Sequence, residues 1–148
     1  MTTGKVLMIA ALIGAAVIAA LFVFESPRLR QAREIALGQS VYAANCASCH
    51  GKQLEGQPDW QTPLANGRLP APPHDASGHT WHHSDEMLFN VTRNGLKPYA
   101  GEDYESDMPA FAGILKDDEI RAVIEFIKST WPERERDYQR GITLKQGG

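Results

Sequence analysis

The stretch NCASCHG, residues 45–51, contains both cysteines of this chain, three positions apart, with a histidine directly after the second. Two thiols and an imidazole at this spacing suit a disulfide, a thiol redox pair, a zinc site or covalent haem attachment. Cys-x-x-Cys-His is a signature of the last: Cys46 and Cys49 bond to the two vinyl groups of one haem, and His50 reaches the iron. The remainder of the chain has to support one of these uses.

The other three uses find less support in the sequence. A disulfide between positions three apart would close almost no loop, so it would add little stability. A thioredoxin-like redox pair comes with a βαβ pattern, and no strand pattern is found here. A zinc site would need two more ligands, which His50 and a distant histidine could supply, although not at zinc-finger spacing.

Helical patterns lie on both sides of the cysteines. Apolar residues in 31–51 predict an amphipathic helix that ends near the motif. Ser84 is a good N-cap for a second helix over 85–94. A third helix is predicted from Asp117, with an apolar face and Pro132 as its end. The apolar positions of the third helix are Ile120, Val123, Ile124 and Ile127. The segment between the first two helices, 52–83, is proline-rich and has no period.

Taken together, these residues resemble the class I cytochromes c from about Ile35 to Trp131. Gly38, Tyr42 and the cysteine motif are similar to the first helix of that family, and residues 106–111, SDMPAF, to its sixth-ligand loop. The resemblance implies an all-α class I cytochrome c fold, with three main helices around one covalently bound haem c. Its C-terminal helix crosses the first near the glycine, and the proline-rich segment wraps the cofactor. It also implies an electron-transfer protein, not an enzyme.

The resemblance also assigns roles to the site residues. Cys46 and Cys49 form the thioethers, and His50 and Met108 are the axial ligands of the haem iron. Met108 lies in a loop and precedes a proline, whereas Met87 falls in a predicted helix and is expected to pack in the core. Methionine ligation raises the potential of the iron, which suits electron transfer. A haem enzyme or gas sensor with an open iron site is the alternative if Met108 does not bind.

Three further residues are predicted to line the haem pocket. Metal-bound histidines usually donate their second ring N–H, and Pro72 or Pro73 is expected to accept it from His50. The sequence does not choose between the two prolines. By resemblance, the indole N–H of Trp81 bonds a haem propionate.

Two clusters of polar residues flank these positions. Four histidines are expected to line a polar loop or to face solvent; ligation by one of them in place of Met108, or a separate copper or zinc site, stays open. They are His74, His79, His82 and His83. Four carboxylates precede Met108 and form either a solvated loop or a docking patch for a basic redox partner. They are Glu102, Asp103, Glu105 and Asp107. With 15 basic against 18 acidic residues, nucleic-acid binding is not expected.

An apolar run of nineteen residues, 6–24, contains no charge. As a helix it would be about 28 Å long, close to the roughly 30 Å of a bilayer core. We therefore predict one N-terminal transmembrane helix in residues 1–25, a juxtamembrane linker in 26–31, the cytochrome c domain in 32–132 and a solvated, partly disordered polar tail in 133–148. A cleaved signal peptide is the alternative, although no Ala-x-Ala site follows the run.

The expected location follows from the haem chemistry. Arg28, Arg30 and Arg33 would by themselves keep the domain in the cytoplasm, but the resemblance implies attachment of haem on the periplasmic face of a bacterial inner membrane. The partners are then an electron donor and an acceptor, each a redox protein or membrane complex. A fixed haem subunit of a larger membrane oxidoreductase is the alternative.

Overall fold

The computed structural model describes Gly4 and residues 8–14, 26–101 and 103–146. Gly4 and residues 8–14 of the predicted anchor are helical, and the apolar side chains in 8–14 are exposed. The other anchor residues lie outside the described ranges. No helix within the described ranges is both long and apolar enough to cross a membrane. The chain divides into two compact units, Met1–Arg33 and Glu34–Gly148.

The described residues form an all-α structure. From residue 26 onward, its helices are α1 (Pro27–Asn45), α2 (Ala47–His50), a single 3₁₀ turn (Thr80–His82), α3 (Asp85–Asn94), α4 (Lys97–Ala100), α5 (Asp117–Thr130) and α6 (Glu133–Gln146). Across these ranges, β pairing is limited to one bridge between Ala112 and Leu115.

The three predicted helices are confirmed as α1, α3 and α5, with differences at the ends. Pro27 begins α1, because a proline suits the first helical position, where no N–H is needed. Residues 27–31, predicted as a linker, are therefore helical. The hydroxyl of Ser84 accepts a hydrogen bond from the amide of Met87 and caps α3, and α5 ends at Thr130, just before Pro132.

Helices α1 and α5 approach each other closely at Gly38. A Cβ atom at this position would lie 1.9 Å from the carbonyl oxygen of Ala122, so only glycine permits the approach. Side chains from both helices then meet in one core cluster. Its buried members are Val41, Tyr42, Leu54, Val123, Ile127 and Trp131. This cluster fixes the helix from which the cysteine motif emerges.

The prediction of a partly disordered tail is wrong, because residues 133–146 form α6, although most of these residues are exposed. The sequence of α6 has no continuous apolar face, so hydrophobic periodicity could not reveal it. Polar contacts hold the helix instead: Gln139 is 2% exposed, and its Nε2 donates to Oδ1 of Asp85 at 2.7 Å. With α6, the described part of the chain has four helices of ten or more residues, not three.

Candidate cofactor site

The cysteine motif begins at the last residue of α1 and contains α2, a single helical turn. The amide of Cys46 donates to the carbonyl of Tyr42, and the amide of His50 donates to the carbonyl of Cys46, each at 2.9 Å. Both cysteines are free thiols; Cys46 is half-buried and Cys49 is exposed. Positions three and four apart lie on one helix face, so the two thiols and the imidazole share a side of this turn.

The acidity of Cys46 argues against a thiol redox pair. Burial, and then the neighbouring Cys49, raise the pKa of the Cys46 thiol to about 11. Redox-active cysteines work through a thiolate and have lowered pKa values. Cys46 is therefore held as a neutral thiol.

His50 is oriented by the backbone of the proline-rich segment. Its Nδ1 lies 2.8 Å from the carbonyl oxygen of Pro72. Because a carbonyl can only accept, Nδ1 carries the proton. Burial lowers the pKa of His50, although the Pro72 bond acts in the opposite sense. The ring is therefore neutral, and its Nε2 has a lone pair that can bind a metal. His50 is 8% exposed. The carbonyl of Pro73 instead accepts from the Thr80 hydroxyl at 3.4 Å.

Hydrogen bonds and a close backbone approach hold the segment around Pro72 in place, and hydrogen bonds hold the end of the cysteine motif. Gly56 has a φ of +68°, and a Cβ there would lie 2.4 Å from the nitrogen of Pro73. Gln57 and Ala71 exchange two hydrogen bonds of 2.9 Å. On the other side, the buried hydroxyl of Tyr42 donates to the carbonyl of Gly51 at 2.8 Å and approaches that of His50 at 3.3 Å.

Met108 lies in a separate loop, where it is half-buried. Its amide donates to the hydroxyl of Ser106 at 3.1 Å. On its C-terminal side, the amides of Phe111 and Ala112 donate to the carbonyls of Thr92 and Arg93 at the end of α3, at 3.1 and 2.8 Å. These contacts join Met108 to α3, while those of His50 join it to Pro72 and Tyr42. That the two ligands face each other across one iron stays a prediction.

Two of the four carboxylates before Met108, those of Glu105 and Asp107, form ion pairs with Arg68. Nη2 of Arg68 lies 2.5 Å from Oε2 of Glu105, and its Nη1 contacts Oδ1 of Asp107. Asp103 is exposed, and Glu102 lies outside the described residues. The loop thus presents less negative charge than its sequence indicates. Sequence reasoning missed Arg68 because it lies 37 and 39 positions from its partners.

The four histidines do not share one environment. The ring of His74 stacks on that of His50, with centroids 4.0 Å apart, and its Nδ1 contacts the Thr80 hydroxyl at 2.8 Å. Desolvation, then the proximity of His50 and of His79, lower the pKa of His74 well below its ordinary value. His74 is therefore a half-buried, neutral ring that packs against the predicted ligand.

The other three histidines make peripheral ring contacts. His79 stacks on Trp60 at 5.2 Å and meets His83 edge-on at 5.3 Å, while His82 stacks on Trp81 at 3.8 Å. No set of three or more His, Cys, Asp or Glu side chains among the described residues could hold a metal ion. A second metal site therefore gains no support from this cluster.

Trp81 has another partner for its indole N–H. Nε1 donates to the carbonyl of Ala76 at 3.3 Å, and the ring meets Tyr138 of α6 edge-on at 5.4 Å. A bond to a haem propionate would therefore require Trp81 to exchange this contact. The indole N–H of Trp131 donates to the carbonyl of His74 at 2.7 Å, a hydrogen bond between residues 57 positions apart that no local pattern predicts.

The residues present fit a covalently attached haem. Two free thiols and a neutral imidazole share one helical turn, and the second imidazole nitrogen is already oriented by Pro72. Helix α3 adds apolar surface: it is amphipathic, yet none of its residues is fully buried. Its partly covered apolar side chains are Met87, Leu88, Phe89 and Val91.

The comparisons with known proteins agree with this chemistry. The family model for cytochrome c matches residues 35–131, about two thirds of the chain. The matched span contains both thiols, His50, Pro72 and Met108, and it ends before α6. Neither a curated protein nor a solved structure gives a significant match.

Proposed function

Because the chain belongs to the cytochrome c family, we propose that it is a monohaem carrier of single electrons, with haem c bonded to Cys46 and Cys49. His50 and Met108 are the axial ligands in this proposal. The observation that supports it best is the 2.8 Å contact between Nδ1 of His50 and the carbonyl of Pro72, made by the histidine of the attachment motif. When bound, the haem iron supplies the centre that gains and loses the electron.

The chain's own residues have three tasks in this proposal. The two thiols fix the group at α2, with Cys46 directly before this helix and Cys49 within it. His50, neutral and buried, offers Nε2 while Pro72 keeps its ring from rotating. Met108 offers a thioether, which favours reduced iron and raises the potential. If His50 and Met108 both bound the iron, no site would be left for a substrate at the metal, and the activity would be electron transfer and not catalysis.

We further propose that residues 6–24 anchor the domain to a bacterial inner membrane and that it works on the periplasmic face. The uncharged run of nineteen residues supports the anchor. The donor and acceptor would be redox proteins or complexes in the same membrane. Mass spectrometry of the mature chain tests this part, since retention of residues 1–25 is expected and their removal would contradict it.

The haem assignment is tested by expressing the chain with a haem-attachment system. We expect one haem per chain that survives denaturation, and a near-infrared band of methionine-ligated ferric haem. The double variant Cys46→Ala/Cys49→Ala should lose the covalent haem, and Met108→Leu should lose the band and keep the haem. Met87→Leu is the matched control and should keep both. Tight binding of carbon monoxide by the unaltered protein would overturn the carrier assignment in favour of an open iron site.

A further inference from the structure

One segment of the chain, residues 64–73, contacts both sides of the proposed haem site. Near its end, the carbonyl of Pro72 accepts from Nδ1 of His50 at 2.8 Å. Four residues earlier, the guanidinium of Arg68 binds Glu105 and Asp107 in the loop that carries Met108. We call this loop, residues 105–112, the methionine loop. We call residues 64–73 the bridging segment.

The backbone at Arg68 is held in a tight turn. The amide of Leu64 donates to the carbonyl of Arg68, and the amide of Gly67 donates to that of Leu64, both at 2.8 Å. The amide of Arg68 donates to the side chain of Asn66 at 3.0 Å. Gly67 adopts a φ of +80°, a left-handed conformation that glycine allows without strain. The turn therefore fixes the backbone from which the Arg68 side chain extends toward Glu105 and Asp107.

The two sides of the methionine loop are fastened by different means. After Met108, backbone hydrogen bonds from Phe111 and Ala112 join the loop to α3. Before Met108, the fork of Arg68 reaches Glu105 and Asp107 from the bridging segment. Asp107 is the residue next to Met108, so this contact acts close to the sulfur-bearing side chain.

We propose that Arg68 is a positioning residue that fastens the N-terminal side of the methionine loop and thereby sets how firmly Met108 holds its place at the iron. This inference rests on the proposed ligation by Met108. Through the bridging segment, the orientation of His50 and the retention of Met108 depend on one piece of backbone. The carboxylates thus serve the ligand loop first and are less available for docking a partner.

The expected effect is moderate because the ion pairs are partly exposed. The side chains of Arg68, Glu105 and Asp107 are 33%, 64% and 61% exposed, and water and salt weaken such pairs. An arginine that binds two carboxylates does better than a single surface pair. Loosening of the loop should raise the affinity of ferric haem for an added ligand by about three- to tenfold.

The experiment measures imidazole binding to the ferric holoprotein, followed by loss of the near-infrared band. Arg68→Gln should bind imidazole about three- to tenfold more tightly, and Arg68→Lys, which keeps the charge and loses the fork, should fall between Arg68→Gln and the unaltered protein. Glu105→Gln/Asp107→Asn should match Arg68→Gln, and all three changes together should add nothing. Arg140→Gln, which removes a one-carboxylate pair on α6, is the control and should change nothing.

The outcomes separate this inference from the function it rests on. An unaltered protein without the near-infrared band would overturn the Met108 assignment and the role of Arg68 together. A protein with the band whose imidazole affinity is the same in Arg68→Gln would overturn the role of Arg68 alone. An equal rise in Arg140→Gln would also overturn it, because the effect would then come from net charge.

Discussion

The His50 side and the Met108 side of the proposed site are built from different interactions. His50 is 8% exposed; it makes a part-buried hydrogen bond to Pro72 and accepts a buried one from Tyr42 at its carbonyl. Met108 is half-buried in a loop that is tied on one side by backbone hydrogen bonds and on the other by partly exposed ion pairs. The first side is therefore part of the core, whereas the second can loosen without unfolding the domain.

The strongest way to break the His50 side is to separate the two helices that support it. In Gly38→Val, a Cβ would lie 1.9 Å from the backbone oxygen of Ala122, which no side-chain rotation can relieve. We expect a loss of about 3 kcal/mol in the free energy of unfolding, measured by guanidinium titration of the holoprotein. Gly141→Ala in α6 is the control, since nothing lies within 4 Å of a Cβ there, and it should slightly stabilise the protein. Similar losses in both variants would contradict this account of α1 and α5.

A smaller change removes one buried donor and keeps the core shape. Tyr42→Phe loses the hydroxyl bond to the carbonyl of Gly51 at 2.8 Å. We expect about 1–2 kcal/mol of lost unfolding free energy, because a buried carbonyl loses its partner. Tyr138→Phe is the matched control, since Tyr138 is 51% exposed, and it should stay within about 0.5 kcal/mol. If the two variants lose equal stability, the buried hydroxyl does not secure the His50 side.

Helix α6 offers a change that should affect neither side. Gln139→Ala removes hydrogen bonds to Asp85, His83 and Thr143, of 2.7, 3.2 and 3.1 Å. We expect a loss of about 1 kcal/mol, seen as faster amide exchange in 133–146. The near-infrared band and imidazole affinity should not change. A change in the near-infrared band or in the imidazole affinity would mean that α6 also helps to hold the ligands, in addition to the His50 side and the Met108 side.

Salt should produce the smallest effect and separate the two sides most directly. Raising ionic strength from low to physiological values screens exposed charges and leaves buried hydrogen bonds almost unaffected. We expect imidazole affinity of the unaltered protein to rise by less than about twofold, while Arg68→Gln shows no such rise. Equal salt dependence in both proteins would assign the effect to charges other than the Arg68 pair.

The sequence was sufficient where a function depends on neighbouring residues or on periodicity. The attachment motif needs its residues at fixed spacing within one turn, so Cys46, Cys49 and His50 could be read directly. The helices α3 and α5 carry apolar faces that mark them, and Ser84 caps α3, whereas the apolar face of α1 is weak. By contrast, α6 is held by Gln139 and other polar contacts to distant residues, and its local pattern resembles that of a solvated tail.

By itself, the sequence determined the cytochrome c motif and the all-α class. Tertiary structure alone decided that Pro72 and not Pro73 faces His50, that His74 stacks on the predicted ligand, and that Arg68 binds Glu105 and Asp107. The reason is physical. Local spacing determines which groups share one helical turn. Hydrogen bonds and ion pairs between residues 20 to 40 positions apart depend instead on the conformation of the loops between them, which the periodicity of the sequence does not show.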